Sequence, residues 1–260
     1  MTTAFLRTFG AGPVPVFALH CSLAHSGAWA GVAQYLDPVV TLKAMDLPGH
    51  GQSPMPARPE ATADEAVEWA LQTLETPCHL FGHSFGAYIA LRLALEAPER
   101  VLSLSLYEPV FFAAAKDANP SAFAQNLDEM KAMNDLAQGG DWLAAARAFT
   151  EIWGDGRPWE MLPDRMKTAM AAGMPMVLGA NQALLEDTAN VLPRLGRLTM
   201  PVLIADGALS HPVIKPVQDG LAARIPGARR ETLEGAGHMG VIANPDRVAE
   251  VFGEGILRKA

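Results

Sequence analysis

A serine with a glycine two positions away on either side is the strongest chemical signal in the chain. It lies in GHSFG (82–86), which follows the apolar run PCHLFG (77–82) and precedes the helix-like AYIALRLALEA (87–97). A serine in a tight turn between strand and helix presents its hydroxyl above the sheet, and larger side chains at the glycine positions would collide with that turn. The N-terminus of the following helix favours a developing oxyanion. We therefore predict that Ser84 is a nucleophile.

A serine hydroxyl needs a general base, and one histidine has the right position in the chain. When a nucleophilic serine occupies such a turn, its partners follow in the order Ser, acid, His, with the histidine after the last strand. His238 follows the strand-like RRETLEG (229–235) and precedes a C-terminal helical pattern, and no other histidine comes as late in the chain. We predict that His238 is the base.

The elements that must position these residues alternate between strand and helix patterns. The strand-like runs are VPVFALH (14–20), VTLKAMD (40–46), PCHLFG (77–82), VLSLSLYE (101–108), PVLIAD (201–206) and the more polar RRETLEG (229–235). The helical patterns are SGAWAGVAQYL (26–36), ADEAVEWALQTL (63–74), AYIALRLALEA (87–97), VIKPVQDGLAARI (213–225) and DRVAEVFGEGIL (246–257). Strand–helix alternation with mostly apolar strands predicts an α/β fold with a doubly wound, mostly parallel sheet.

The alternation stops between residues 111 and 195. This stretch is helical throughout, rich in Ala and Met, and punctuated by Gly and Pro. We interpret it as a helical lid inserted into the sheet domain. The predicted organisation is a first part of the core at 1–110, the lid at 111–195 and a second part of the core at 196–260.

Composition narrows the class of protein further. The 260 residues are 50% hydrophobic and 18% charged, with a net charge of −8, and no Lys/Arg cluster indicates a nucleic-acid partner. Two cysteines cannot form a disulfide framework or a zinc spacing, and no apolar run reaches the ~20 residues of a membrane span. The N-terminus lacks the pattern of a signal peptide. We expect a cytoplasmic protein with a small-molecule substrate and no membrane partner, its oligomeric state open.

The chain resembles the α/β-hydrolase superfamily, and within it the small bacterial serine hydrolases with a helical cap. The similar segments, in the family's order, are HCSLAHSGAW (20–29), MDLPGHGQS (45–53), GHSFG (82–86), RVLSLSLYEPV (100–110) and GAGHMG (235–240). The resemblance implies the fold predicted above and a serine hydrolase that uses a catalytic triad without cofactor or metal.

The resemblance also implies an oxyanion hole formed by two backbone N–H groups, those of Phe85 and Ser22. The family usually has a His-Gly pair before the second donor, whereas this chain has His20-Cys21. If the loop needs a glycine-only conformation at position 21, its geometry must differ here. Cys21 is a rival nucleophile, but no motif places a base beside it, and we interpret it as a small buried thiol.

The acid of the triad departs from the family pattern. The family usually has an Asp shortly after the strand that is PVLIAD (201–206) here, and Ser210 occupies that position. Two carboxylates could replace it, Asp206 at the end of that strand and Glu108 at the end of the preceding one. Some haloalkane dehalogenases are similar in using a glutamate at the latter place, although their Asp nucleophile excludes that reaction for Ser84. We predict Glu108, with Asp206 as the alternative.

These residues predict hydrolysis of a small, largely apolar ester, thioester or lactone through an acyl-enzyme. The apolar preference is inferred from large side chains in or near the predicted lid, namely Phe85, Phe111, Phe112, Trp153, Trp159, Met170, Met174 and Met176. One alternative is a hydrolase of C–C bonds next to a ketone, although similar enzymes keep the Asp that Ser210 replaces. The other is a degenerate binding protein without turnover, which the missing Asp would favour.

Overall fold

A seven-stranded sheet forms the centre of the computed structural model, which describes residues 4–257. The strand order is β1-β3-β2-β4-β5-β6-β7; β1 is antiparallel to β3, and all other neighbours are parallel. The strands are β1 (Leu6–Phe9), β2 (Val14–Leu19), β3 (Val40–Met45), β4 (Cys78–His83), β5 (Val101–Tyr107), β6 (Val202–Gly207) and β7 (Arg229–Leu233). The predicted doubly wound, mostly parallel sheet is therefore confirmed.

The burial of each strand explains which strands could be predicted from the sequence. Every residue of β4 and β6 is buried, as expected for parallel strands covered on both faces. In β7, at one edge, only Leu233 is fully buried. Strand β1 at the other edge was not predicted from the sequence, because its four residues, LRTF, are alternately exposed and half-buried and form no apolar run.

Helices cover both faces of the sheet. The flanking helices are α1 (Ala30–Leu36), α2 (Thr62–Thr73), α3 (Phe85–Glu96), α9 (Ile214–Ala222), α10 (Gly240–Ala243) and α11 (Pro245–Leu257). One face packs against α1 and α11 through a core that includes Trp29, Phe81 and Phe252, and the other packs against α2, α3 and α9. No helix within residues 4–257 is long and apolar enough to cross a membrane.

The segment between β5 and β6 is helical, as its sequence pattern predicted. Its helices are α4 (Ala115–Ala118), α5 (Pro120–Gln138), α6 (Trp142–Trp153), α7 (Asp164–Gly179) and α8 (Asn181–Glu186). Helix α6 packs against both α5 and α7, and a separate small core that includes Ala145, Trp159 and Met174 holds α6 and α7 together. This inserted segment therefore has packing of its own beside the sheet core.

Candidate active site

The turn between β4 and α3 holds Ser84 in an unusual backbone conformation. Its φ is 55° and its ψ is −117°, in a region that non-glycine residues rarely adopt. A Cβ atom on Gly82 would lie 2.5 Å from the Cα of Ala87, and one on Gly86 would lie 2.3 Å from the carbonyl oxygen of Leu19. The steric reason for a glycine on either side of Ser84 is therefore present in the structure.

Three side chains from distant parts of the chain meet at this turn. The Nε2 atom of His238 lies 3.0 Å from Oγ of Ser84, and its Nδ1 atom lies 2.7 Å from Oε2 of Glu108. All three residues are buried, with exposed fractions of 5% for Ser84, 7% for His238 and 0% for Glu108. A carboxylate can only accept at Nδ1, so Nε2 of a neutral ring is left free to accept the serine proton.

The second oxygen of Glu108 is held by the loop after β6. Oε1 accepts hydrogen bonds from the N–H of Gly207, at 2.9 Å, and from the hydroxyl of Ser210. Glu108 itself follows β5 and has a φ of 47°, so its backbone turns sharply at the strand end. The residue at the family's usual Asp position therefore contacts the carboxylate that His238 faces.

The alternative acid, Asp206, has a different environment. Its Oδ1 accepts a hydrogen bond of 2.7 Å from the hydroxyl of Thr232 in β7, and no hydrogen bond joins it to His238 within residues 4–257. Burial raises the pKa of Asp206, and the nearby charge of Glu108 adds to this effect while the Thr232 hydrogen bond opposes it. Of the two predicted carboxylates, the structure brings only Glu108 to the histidine.

Two residues whose roles the sequence analysis did not predict hold the loop that carries His238. His83 donates from Nε2 to the carbonyl oxygen of His238, and Tyr107 donates its hydroxyl proton to the carbonyl of Gly237, both at 2.8 Å. Burial, together with the nearby His238, lowers the pKa of His83 well below its usual range, so its ring is neutral at physiological pH. The sequence feature that could have indicated these roles is position: His83 and Tyr107 are the last residues of two strands, immediately before Ser84 and Glu108.

The loop after β2 brings Ser22 close to Ser84, and both residues line one cavity. Within the described part of the chain, neither the N–H of Ser22 nor that of Phe85 donates to a protein acceptor. The left-handed conformation that the family pattern suggested for position 21 occurs instead at Leu23, whose φ is 59°. Cys21 therefore replaces the usual glycine without needing a glycine conformation.

His20 fixes the start of this loop. Its Nε2 accepts the N–H of Leu47 at 3.0 Å, and its Nδ1 donates to the carbonyl oxygen of Cys21 at 2.7 Å. Burial lowers the pKa of His20 to about 3, so the ring is neutral and this pair of hydrogen bonds is maintained at physiological pH. Burial also raises the pKa of the Cys21 thiol to about 12, which keeps it protonated and poorly nucleophilic.

Two cavities meet at Ser22, Phe149 and Trp153. The inner cavity has a volume of about 40 Å³ and is lined by Ser22, Ser84, Val110, Phe112, Met130, Met133, Phe149, Trp153, Val177, Leu178, Ala180, Asn181 and Leu184. The outer cavity has a volume of about 340 Å³ and is lined by Ser22, Leu23, Ala24, His25, Gly27, Ala28, Phe149, Thr150, Trp153, Gly154, Met166, Met170, Met239 and Ile242. The inserted segment therefore contributes walls to both.

The apolar side chains singled out in the sequence do not all line these cavities. Phe112, Trp153 and Met170 do, and the ring of Trp153 lies 4.8 Å from the ring of His238. The others are buried in the packing between elements, namely Phe85, Phe111, Trp159, Met174 and Met176. The apolar character of the site was therefore inferred partly from side chains that only fill the core.

Comparison with known proteins agrees with this architecture. A family model described as the alpha/beta hydrolase fold matches residues 14–245. Solved structures with a similar fold include the enol-lactonase from Burkholderia xenovorans LB400, with a TM-score of 0.75 and 20% identity over 97% of this chain and 96% of that one. The chain belongs to the α/β-hydrolase fold family, and the predicted resemblance is confirmed.

Among the relatives with curated names, several are pimeloyl-[acyl-carrier protein] methyl ester esterases. The one from Aeromonas salmonicida (strain A449) is 31% identical, and the match covers 95% of this chain and 96% of the relative. The lipase LipV of Mycobacterium tuberculosis is 30% identical, with coverage of 93% and 92%. These relatives support the predicted class of enzyme, a hydrolase that acts on carboxylic esters.

Proposed function

We propose that the chain is a serine hydrolase that cleaves small, largely apolar esters, thioesters or lactones through a covalent acyl-enzyme. The observation that supports this most is the buried line of contacts from Glu108 through His238 to Ser84. The names of the relatives, which are esterases and a lipase, support the same reaction class.

Acylation begins when Nε2 of His238 takes the proton of Ser84 as Oγ attacks the carbonyl carbon. The imidazolium that forms is stabilised by the carboxylate of Glu108 at Nδ1. The negative charge on the carbonyl oxygen is received by the N–H groups of Ser22 and Phe85, which have no protein acceptor in the described chain and are free to donate. His238 then gives its proton to the leaving oxygen or sulfur, and the acyl group stays on Ser84.

Deacylation repeats these steps with water. His238 removes a proton from a water molecule that attacks the acyl carbon, and the same N–H groups hold the second oxyanion. The proton then returns from His238 to Oγ of Ser84 as the carboxylic acid leaves. No step needs a metal or cofactor, since the side chains listed above supply each proton transfer.

We further propose that residues 111–195 form a lid, with residues 1–110 and 196–260 as the two parts of the core. Phe149 and Trp153 of α6 line both cavities, and Trp153 contacts His238. A lid in this position excludes water from the reacting atoms, which strengthens the electrostatic interactions there. The two alternative functions, C–C hydrolysis and binding without turnover, have no observation that favours them over the ester hydrolase.

The test is hydrolysis of p-nitrophenyl butyrate by the purified chain, followed by intact-mass and peptide analysis of protein quenched in acid during turnover. We expect release of p-nitrophenol and a butyryl group on the peptide that contains Ser84. Absence of both the product and the adduct would contradict the proposed function and favour the binding protein.

A further inference from the structure

We infer that the two cavities divide the substrate, so that the inner one accepts a short acyl group of about two to four carbons and the outer one accepts a larger, uncharged leaving group. The inference deepens the proposed function and depends on Ser84 being the nucleophile. It is carried by the different volumes of the cavities, about 40 and 340 Å³, and by their linings: Ser84 lines the inner cavity, and Ser22 lines both.

The direction of the division follows from the path of the proton. The leaving oxygen must come within hydrogen-bond distance of Nε2 of His238, because it takes its proton from that atom. His238 itself lines neither of the two cavities. Its neighbour in the chain, Met239, lines the outer cavity together with Ile242 of α10, whereas Ser84 lines only the inner one of the two. With the carbonyl carbon at Ser84, the leaving group therefore extends towards the outer cavity and the acyl chain towards the inner one.

Ser22 marks the junction between the two parts of the substrate. It lines both cavities, and its N–H is one of the two proposed donors to the oxyanion. The carbonyl group, which links the acyl chain to the leaving group, then lies where the cavities meet. Phe149 and Trp153, also shared by both cavities, form the wall that keeps the two substituents apart.

The size of the inner cavity limits the acyl chain. A water molecule needs about 10–15 Å³ of cavity volume, so 40 Å³ has room for about three waters or a similar number of carbon atoms. Met130 and Met133 of α5 line this cavity, and its polar lining among residues 4–257 consists of Ser22, Ser84, Asn181 and the indole of Trp153. No charged side chain in that part of the chain lines it, so an acyl group with a terminal carboxylate would have no partner there.

The outer cavity has the size of a typical small-molecule site, and none of the described residues that line it is Lys, Arg, Asp or Glu. Among those residues, His25 has the only titratable side chain. The leaving group is therefore an uncharged alcohol or thiol with substantial apolar surface. This division differs from a methyl ester with a long acyl chain, in which the small substituent is the alcohol.

Two substrate series test the division on the purified chain. The first keeps p-nitrophenol as the leaving group and lengthens the acyl chain from acetyl to octanoyl. The second keeps the butyryl group and lengthens the alcohol from methyl to octyl, so that the intrinsic reactivity of the ester stays nearly constant. We expect kcat/KM to fall at least about tenfold between butyryl and octanoyl in the first series, and to rise up to about fourfold per added methylene early in the second.

A matched pair of lid variants separates the two cavities. Met133→Ala enlarges the inner cavity, and we expect it to move the acyl optimum to longer chains while the order of alkyl butyrates stays the same. Met166→Ala, in the wall of the outer cavity, should change the preference among alkyl butyrates and leave the acyl optimum where it was. The assignment of the cavities would be contradicted if Met133→Ala changed the preference among alkyl butyrates and Met166→Ala moved the acyl optimum.

The failures of the two proposals can be told apart. A preference for octanoyl over butyryl, combined with a requirement for methyl among the alcohols, would overturn the division and leave the serine hydrolase intact. An absence of turnover in both series, with no fluorophosphonate adduct on Ser84, would overturn the proposed function and the division together.

Discussion

Two neighbouring strands, β5 and β6, both end at a carboxylate, but the two carboxylates have different partners. Glu108 follows β5 and places one oxygen 2.7 Å from Nδ1 of His238. Asp206 lies one residue before the end of β6 and accepts its hydrogen bond from Thr232 of the adjacent edge strand. Both are buried, so burial alone does not distinguish a triad acid from a structural one.

The two carboxylates have different partners because the backbone conformation differs at Glu108 and Asp206. Asp206 is still in the regular β6 ladder, opposite Thr232, and its side chain direction is fixed by the strand. Glu108 lies just past the strand with a φ of 47°, and this turn, rather than nearness to the strand end, aims its side chain at the histidine. We therefore expect Glu108, which lies beyond the regular sheet geometry, and not Asp206 to be the acid of the proposed triad.

The largest effect is expected from a substitution of Ser84, the serine that the acid of the proposed triad activates through His238. Ser84→Ala removes the proposed nucleophile and should keep the core packing around it, so we expect kcat for p-nitrophenyl butyrate to fall by on the order of 10⁴ to 10⁶. The matched control is Cys21→Ala, which removes the buried thiol nearby and should keep kcat within a few-fold. Activity that survives in Ser84→Ala and disappears in Cys21→Ala would transfer the nucleophile to Cys21.

The next largest effect is expected from removing the charge of Glu108, and the matched change at Asp206 is its control. Glu108→Gln keeps the shape of the side chain and removes the charge that stabilises the imidazolium, and we expect kcat to fall by on the order of 10⁴. Asp206→Asn makes the same chemical change one strand away and should leave kcat within about threefold. Equal losses in the two variants, or a larger loss in Asp206→Asn, would show that the comparison assigns the acid wrongly.

A smaller effect is expected from the hydroxyl groups that hold the two carboxylates. Ser210→Ala removes a hydrogen bond to buried Glu108, and we expect kcat to fall about tenfold with KM unchanged, since the acid loses its position and the cavities do not change. Thr232→Ala removes the corresponding bond to Asp206 and should leave kcat unchanged. Ser210→Thr restores the hydroxyl and should recover most of the activity; a loss in stability alone would limit Ser210 to a structural role.

The smallest effect concerns stability and pH. Because burial raises the pKa of Asp206, the folded chain binds this proton more tightly than the unfolded chain, whose Asp pKa is about 3.9. Wild-type stability is therefore reduced as pH rises from about 4 through the folded-state pKa, and Asp206→Asn lacks this loss. We expect the Tm difference, variant minus wild type, to increase between about pH 4 and pH 8. A difference that is independent of pH would contradict the raised pKa.

Much of the core could be predicted from the sequence because local patterns determine it. The GHSFG turn identifies β4, α3 and Ser84 together, since its two glycines have a steric reason that any strand-to-helix turn of this kind shares. Five apolar runs and one more polar run identify six of the strands. Strand β1 was missed because an edge strand of four half-exposed residues has no such pattern.

The details of the site depend on contacts that no local pattern records. His83 and Tyr107 hold the His238 loop across more than a hundred positions of the chain. In the sequence, Ser210 was noted only because it occupies the position of the family's usual Asp. In the structure, its hydroxyl donates a hydrogen bond to the carboxylate of Glu108. The left-handed residue of the Ser22 loop is Leu23, which nothing in HCSLAHSG distinguishes from its neighbours. The helical segment 111–195 was recognisable, but which of its side chains line the cavities required the packing of α5 to α7.

The most direct test of the triad does not require the natural substrate. It is the second-order rate constant for covalent labelling by a fluorophosphonate probe, with the modified residue identified by peptide mapping. We predict that the wild type is labelled at Ser84, that Glu108→Gln is labelled about 10³- to 10⁴-fold more slowly at the same residue, and that Asp206→Asn is labelled at the wild-type rate. Labelling of Glu108→Gln at the wild-type rate would contradict the assignment of Glu108 as the acid that activates Ser84 through His238.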